Sequence, residues 1–446
     1  MKNLLNSFKQ LRKYPSAIAG LIVVLAMVVF SIYVMVALPY SQAISLWRGG
    51  ENTWRVNPRL AQPTWTNLFR SRDLPATIVL ESTDENYPTL VNPRSETLTE
   101  IVTTYEFEYN YDDFPKELTL FITSTHQSKA PSISLNWLTP DGREIRIGQI
   151  TPKNSDTYNI SLDETLKRRL GGMNPEIGLF ANPDSPTTAV EGMYTLIITV
   201  VTFEPDSEVN TTFVSYGKVH GWAGTDHRRR DLSVALMWGA PVALAFGLLA
   251  AAGTSLTTLI IAAVGTWIGG WLDELIQRIT EVNLILPILS ILIMVGTLYN
   301  RSIWTMLGLV IIFGIFGSGI KTFRAIFLQV KNSPYIEAAK AYGAGNTRII
   351  FQYMIPRVLP LLIPQLVVLV PTFVFLEATL AVLGLGDPVL PTWGKVINDA
   401  RTEGALFNGY YFWMLEPFVL LMVTGFGFAM VGFALDRIFN PRLRDI

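Results

Sequence analysis

The chain has 446 residues, half of them hydrophobic and only 16% charged, with 35 Lys+Arg against 36 Asp+Glu and no cysteine. Soluble proteins carry roughly 25% charged residues, so this composition argues against an ordinary soluble globule, and a formal net charge of -1 argues against a nucleic-acid binder. Without cysteine, thiolate metal sites, cysteine nucleophiles and disulfides are excluded.

The first predicted element is residues 17–38, which hold no charged side chain and are almost entirely apolar. About 20 such residues cross a bilayer, because each helical residue rises about 1.5 Å through roughly 30 Å of hydrocarbon. Lys2, Lys9, Arg12 and Lys13 precede the run. It exceeds the roughly 7–15 apolar residues of a signal peptide, so an uncleaved anchor is expected.

Residues 41–220 are polar and contain no membrane-length run. At 100–111 (EIVTTYEFEYNY) β-branched and aromatic residues alternate with polar ones, and 117–123, 132–138, 144–150 and 194–203 look similar. Turn signals at Asp112-Asp113, Pro140-Asp141-Gly142 and Asn182-Pro183 separate them. The expectation is a mainly-β, sandwich-like domain with one helix near 162–170. Its length suffices for a core without disulfides, and its sequence indicates no ligand.

From 232 onward the chain is apolar again, with runs at 234–258 (extending toward 268), 284–298, 303–320, 358–383 and 413–435. The predicted fold is therefore a polytopic α-helical membrane protein of about six transmembrane helices, with the β domain inserted between the first and second. The expected divisions are 1–40 (cytoplasmic N-terminus and first helix), 41–220 (extracytoplasmic) and 221–446 (transmembrane). The 284–298 run is about the minimum crossing length and admits a tilted or re-entrant path. Asp273, Glu274, Arg278 and Glu281 read as an amphipathic cytoplasmic connection. Lys321, Arg324, Lys331, Lys340, Arg348 and Arg357 put the 321–357 loop inside, together with both termini, whereas the outer loops hold only Arg301, Lys395 and Arg401. Trp238, Trp304, Tyr410, Tyr411 and Trp413 lie near span ends, where interfacial aromatics are common.

Within that basic loop, Ser333 suits an N-cap and Pro334 the first helical position. Glu337 lies near the positive end of the helix, the following alanines favour it, and Gly343 and Gly345 are expected to stop it in left-handed conformations. Asn346 is expected to cap a second helix. The short first helix would present small residues, with Ile336 and Ala339, to the cytoplasm, where a groove on another protein can hold it and push it as a rigid body.

The string at 337–360, EAAKAYGAGNTRIIFQYMIPRVLP, resembles the EAA signature of ABC-importer permease subunits. Further blocks resemble the dipeptide/oligopeptide/nickel permease family, second-permease type. They are His220 with Gly224-Thr225-Asp226 and Arg230-Asp231, the stretch from Gly269 to Glu274, Glu377-Ala378-Thr379-Leu380 with Leu383-Gly384-Leu385-Gly386, Pro391-Thr392-Trp393-Gly394, and the tail Asn440-Pro441-Arg442-Leu443-Arg444. Arg229 stands where the family has glycine, which questions a tight turn there, Thr379 stands where alanine is usual, and the outer insert is much larger than the family's loop.

The resemblance implies a pore-forming subunit in the plasma (inner) membrane, paired with a second permease, two ATPase subunits and an extracytoplasmic solute-binding protein. It implies an ATPase-coupling role for Ser333, Tyr335, Ile336, Glu337, Ala338, Ala339, Tyr342, Gly343 and Arg348, and an extracytoplasmic entrance loop formed by Gly224, Thr225, Asp226, Arg230 and Asp231. ATP and Mg would sit in the partner ATPase. This chain has no Walker A sequence, since Gly217-Lys218-Val219 and Gly394-Lys395-Val396 lack the Ser/Thr and the upstream glycine. No cofactor and no catalytic constellation are expected in it. Glu377, a carboxylate in an apolar span, is expected to face the pore or a subunit interface, with solute binding or helix-to-helix hydrogen bonding as alternatives. His220, His227 and Asp226 read as solvated side chains rather than metal ligands. A membrane-anchored sensor would need an output domain beyond Leu435, and an ion-coupled carrier would need internal repeats with ion ligands at broken helices.

Overall fold

The computed structural model describes residues 15–50, 52–95 and 97–439. Lys2, Lys9, Arg12, Lys13 and the tail motif at 440–444 lie outside them. The first apolar run forms α1, Pro15–Ala37, which stops two residues before Pro39, as the clash of a proline ring with the preceding residue requires. Leu21, Ile22, Leu25, Val29, Ile32 and Val36 are exposed along it. A second helix, α2, covers Tyr40–Arg48 and buries Ala43 and Trp47.

The chain divides into two compact units. One holds the residues up to Arg48 and those from Val234 on; the other is Gly49–Ser233. The sequence reading set the β insert at 41–220. The polar look of α2 hides that it belongs with the apolar unit, and the expected entrance loop at 224–231 falls in the β unit.

In the β unit the strands are β1 Ile78–Glu81, β2 Thr89–Pro93, β3 Thr99–Tyr109, β4 Glu117–Thr125, β5 Ser132–Leu138, β6 Glu144–Ile150, β7 Ser155–Asn159, β8 Ala181–Asn182, β9 Ser185–Ala189, β10 Gly192–Thr202 and β11 Glu208–Tyr216. Two short helices, α3 Glu164–Arg169 and α4 Pro175–Gly178, sit between β7 and β8. One antiparallel sheet has the order β1-β11-β4-β7 and the other β2-β3-β10-β5-β6, while β8 and β9 pair apart. Alternation decides which face each residue takes. In β3, Tyr105, Phe107 and Tyr109 point inward while Glu106 and Glu108 point out. Leu118, Leu120, Ile122 and Phe213 of one sheet meet Tyr105, Phe107, Trp137 and Leu196 of the other in a single core, so the unit is a β-sandwich. The polar tips of its aromatic residues are satisfied: Trp137 Nε1 donates to Leu179 O (3.1 Å) and Tyr194 Oη to Val190 O (2.7 Å).

The apolar unit continues with α5 Leu232–Ile268, whose 37 residues amount to about 55 Å of helix. Next come α6 Gly270–Ile285 and α7 Ile288–Leu298, bent by 77°, then α8 Ile303–Ile315 and α9 Ser318–Lys331, bent by 42°. α10 is Pro334–Ala341. α11 Asn346–Arg348 runs through a π-helical turn, Ile349–Met354, into α12 Ile355–Leu380. α13 Trp393–Thr402 and α14 Tyr411–Phe439 complete the unit. Among the described residues four helices are long and apolar enough to cross a membrane, or up to six if each bent pair is one span.

The spans expected at 284–298, where the sequence admits a tilted or re-entrant path, and at 303–320 thus each belong to a bent helix pair. Pro287 lacks an N–H and ends α6. At the second break Asn283 Nδ2 donates to the carbonyls of Phe313 (2.8 Å) and Phe316 (3.0 Å), which satisfies groups that a continuous helix would have used internally. Elsewhere the helices approach through glycines. A Cβ on Gly20 would lie 2.6 Å from Met430 Cβ, and one on Gly432 would lie 2.5 Å from Val368 Cγ2.

Candidate coupling surface and entrance loop

α10 is a two-faced helix. Ile336 and Ala339 are buried, and Ile336 packs in one cluster with Leu259, Ala263, Trp267, Phe323 and Phe327. They therefore point into their own unit and not to the cytoplasm as the sequence suggested, because spacing of three residues puts both on one helix face. Tyr335, Glu337, Ala338, Lys340, Tyr342, Gly343 and Arg348 are exposed, Tyr342 at 92%.

Ser333 has the extended backbone of an N-cap, but its hydroxyl donates back to Gln329 O (3.3 Å) instead of capping. Pro334 is the first helical residue, as expected. Gly343 takes φ +78° and ends the helix, with Ala344 N–H reaching Ala339 O (3.0 Å). Gly345 does not share that role. Its φ is -69°, it occupies the capping position of α11, and Asn346 is the first residue inside that helix.

Basic residues that the sequence used only for topology hold this region together. Lys331 Nζ donates to the last carbonyls of α5, Thr266 O (2.8 Å) and Trp267 O (3.0 Å), where a cation also suits the negative helix end. Lys340 Nζ stands 4.8 Å from the centre of a Trp267 ring. Arg324 grips Asp273 through Nε (2.8 Å) and Nη2 (2.6 Å). The periodic pattern of α10 gives no sign of Trp267 or Lys331. The signals available were a tryptophan at a helix end and a lysine just before the turn.

Glu377, on α12, is 6% exposed, so its carboxyl faces the interior of its own unit. The neighbouring motif packs there: a Cβ on Gly394 would come 2.7 Å from Ala378 Cα, and Trp393 Nε1 donates to Leu236 O (2.8 Å). Gly384 takes φ +85°, which terminates the helical run and accounts for a glycine at that place.

In the β unit the loop at 224–231, expected from the sequence to form an entrance, is a closed network. Asp226 is wholly buried and accepts from Arg230 Nε (2.6 Å), Arg230 N (2.9 Å) and Arg228 N (2.8 Å). Thr225 Oγ1 donates to Pro58 O (2.7 Å) and accepts from Ala61 N (2.9 Å). Gly224 takes φ +72°. Asp231 accepts from Ser233 N (2.8 Å) in the first turn of α5 and lies 4.0 Å from His220 Nε2. Partial burial holds the His220 imidazole below its ordinary value, with Asp231 opposing. The tight turn exists in spite of Arg229, which takes φ +64°. Its guanidinium lies 4.2 Å from the Tyr216 ring centre and bonds Glu117 Oε2 (2.8 Å) and Asn57 O (2.8 Å). Groups of three or more His, Cys, Asp or Glu able to hold a metal are absent among the described residues.

The family described as binding-protein-dependent transport system inner membrane component matches residues 255–445. The dipeptide transport system permease protein DppC of Bacillus subtilis (strain 168) is 30% identical over 224 residues, 50% of this chain and 69% of that relative. The oligopeptide transport system permease protein OppC of the same organism is 31% identical over 225 residues, 50% of this chain and 72% of that relative. The peptidoglycan transport system permease protein YejE of Agrobacterium fabrum is 28% identical over 223 residues, 50% of this chain and 57% of that relative. The β unit lies outside the family match.

Proposed function

This chain belongs to the family of binding-protein-dependent transport system inner membrane components, and from that premise we propose that it is the membrane-spanning permease subunit of an ATP-driven ABC importer for peptides or related small solutes. The relatives' names, which speak of dipeptides, oligopeptides and peptidoglycan, support the solute class. In this reading the chain pairs with a second permease, two ATPase subunits that hold ATP and Mg, and an extracytoplasmic solute-binding protein. The termini and the 321–357 loop are cytoplasmic, and the β unit is extracytoplasmic. Solute passes by alternating access, driven by the ATPase pair.

The observation that carries the proposal is the two-faced α10. Its buried face is fixed to the end of α5 and to α9, and its other face is open. A push received by Tyr335, Glu337, Ala338, Tyr342 and Arg348 is passed through Ile336 and Ala339 to long helices. Ser333 and Gly343 set where the pushed segment begins and ends. The burial of Glu377 supports helix packing among the readings of its carboxylate. The mutual bonding of Asp226 and Arg230 supports a shape-keeping role for the entrance loop, with Gly224, Thr225 and Asp231.

The test is co-expression with the companion ATPase. Glu337→Lys and Tyr342→Ala, both on the open face, are expected to weaken co-purification and solute-stimulated ATP hydrolysis at least tenfold, the equivalent of about 1.4 kcal/mol, while membrane yield and unfolding temperature stay as in the wild type. Undiminished stimulation in both variants would overturn the coupling role.

A further inference from the structure

Among the described residues, the β unit exposes an aromatic corner. The short turn Thr64–Phe69 leaves Leu68 and Phe69 82% exposed, and Trp65 and Trp222 are half-exposed beside it. The corner is held by specific bonds. Thr64 N and Oγ1 both donate to Gly221 O (2.8 and 2.9 Å), Trp65 Nε1 donates to Trp222 O (2.9 Å), and the Trp65 and Phe69 rings meet edge to face at 6.3 Å. Arg70 and Arg72 follow, both exposed, and Arg72 pairs loosely with Asp112 at 3.4 Å.

The chain runs from this corner into the long apolar helix within ten residues. Trp222 is two residues from Gly224, whose carbonyl accepts the N–H of Leu232 (3.1 Å), the first residue of α5. From Leu232 to Ile268 the helix carries no charged side chain. Only six residues further along it, Trp238 Nε1 donates to Leu38 O (3.0 Å), the residue that follows α1. Six residues are at most about 9 Å of helix, comparable to the roughly 5–8 Å of headgroup on each side of a bilayer core. Tryptophan, phenylalanine and leucine backed by arginine are the side chains that partition into that layer.

We propose that Trp65, Leu68, Phe69 and Trp222 dip into the bilayer surface on the β unit's own side and moor the unit to lipid. The proposal rests on the apolar helices lying in a membrane, and the test separates the two. The cysteine-free chain accepts a single fluorescent label. Phe69→Cys, Leu162→Cys (exposed, on the same unit) and Val29→Cys (exposed on α1) are labelled in the full chain and placed in vesicles with and without lipid spin-labelled near the top of its acyl chains. The labels at 29 and 69 are expected to be quenched, the latter about twofold, as suits a side chain roughly 5–10 Å into the boundary, with the label at 162 unaffected. Quenching at 29 with none at 69 overturns the mooring and leaves the membrane assignment standing. Absence of quenching at 29 overturns both, and a label at 69 shielded from water yet blind to the spin-labelled lipid shows a protein neighbour instead and overturns the mooring.

Discussion

Arg229 sits in a left-handed conformation, φ +64°, that costs a residue with a Cβ about 1–2 kcal/mol. Its guanidinium, stacked on Tyr216 and bonded to Glu117 and Asn57, offsets that cost. Two substitutions separate the terms. Arg229→Ala keeps the strain and loses the bonds, whereas Arg229→Gly loses the bonds and the strain together. Both are expected to unfold more easily than the wild type, with Gly about 1 kcal/mol more stable than Ala in thermal unfolding followed by proteolysis of the full chain. Equal stability of the two would show that the turn is unstrained. The glycine position was legible in the sequence; the compensation was not, because Glu117, Tyr216 and Asn57 are distant along the chain. His220 supplies a pH dependence in the same region. Its folded pKa is lowered, chiefly by burial, so on acidification the unfolded state takes up the proton first. Its contribution to stability is full above roughly pH 6.5 and declines as the pH falls through that value toward the lower folded one. His220→Gln is expected to flatten the stability profile between about pH 7 and pH 5, and an unaltered slope would remove His220 as its source.

At the scale of elements, the sequence displayed those whose period is strong. The strands at 132–138 and 144–150 appear with the expected bounds, and 100–111 and 194–203 within two residues of them. β11 escaped notice because its centre reads Asn-Thr-Thr, which looks like a loop until β1 and β4 pair with it on both sides. β2 escaped because all five of its residues are exposed. Helix α10 was legible as a helix but not as to which face was inward, since that depends on Trp267 and Phe323 from other helices. Gly343 offers a conformational test. Nothing lies within 4 Å of a Cβ built on it, so a side chain meets no steric neighbour and only the φ of +78° resists. Asparagine visits that region far more readily than a β-branched residue. Gly343→Asn is therefore expected to retain most of the coupling to the ATPase and Gly343→Val to lose it, with a stability gap of about 1 kcal/mol in thermal unfolding. Equal behaviour of the two would mean that the helix end, as opposed to the open space around it, has no part in coupling.

For the whole molecule, hydropathy located where apolar chain lies but not how often it crosses. The bends at 77° and 42° lie at Pro287 and Gly317 inside continuous apolar stretches, where a window of hydropathy averages them away. The two alternatives place Arg301, between the bent pairs, on opposite sides of the bilayer. If each pair is one span, α5 and the α6–α7 pair make two crossings between the β unit and Arg301, which then shares the side of the β unit. If each pair enters and returns on the same side, only α5 crosses, and Arg301 shares the side of α10. Asn346 lies across the membrane from the β unit in both cases, since three crossings or one are equally odd, and so fixes the frame without deciding the count. Lys153→Cys, Arg301→Cys and Asn346→Cys, all at exposed positions of a chain free of other cysteines, are expected to label with a membrane-impermeant maleimide in intact cells at 153 and 301 and only after lysis at 346. The single arginine at 301 against six basic residues in the 321–357 loop favours that outcome. Labelling of 301 only after lysis, as at 346, would reduce the crossings from six to four and make both broken pairs re-entrant. They would then have to line a cavity or pack against protein, because broken backbone at membrane depth is not tolerated against lipid.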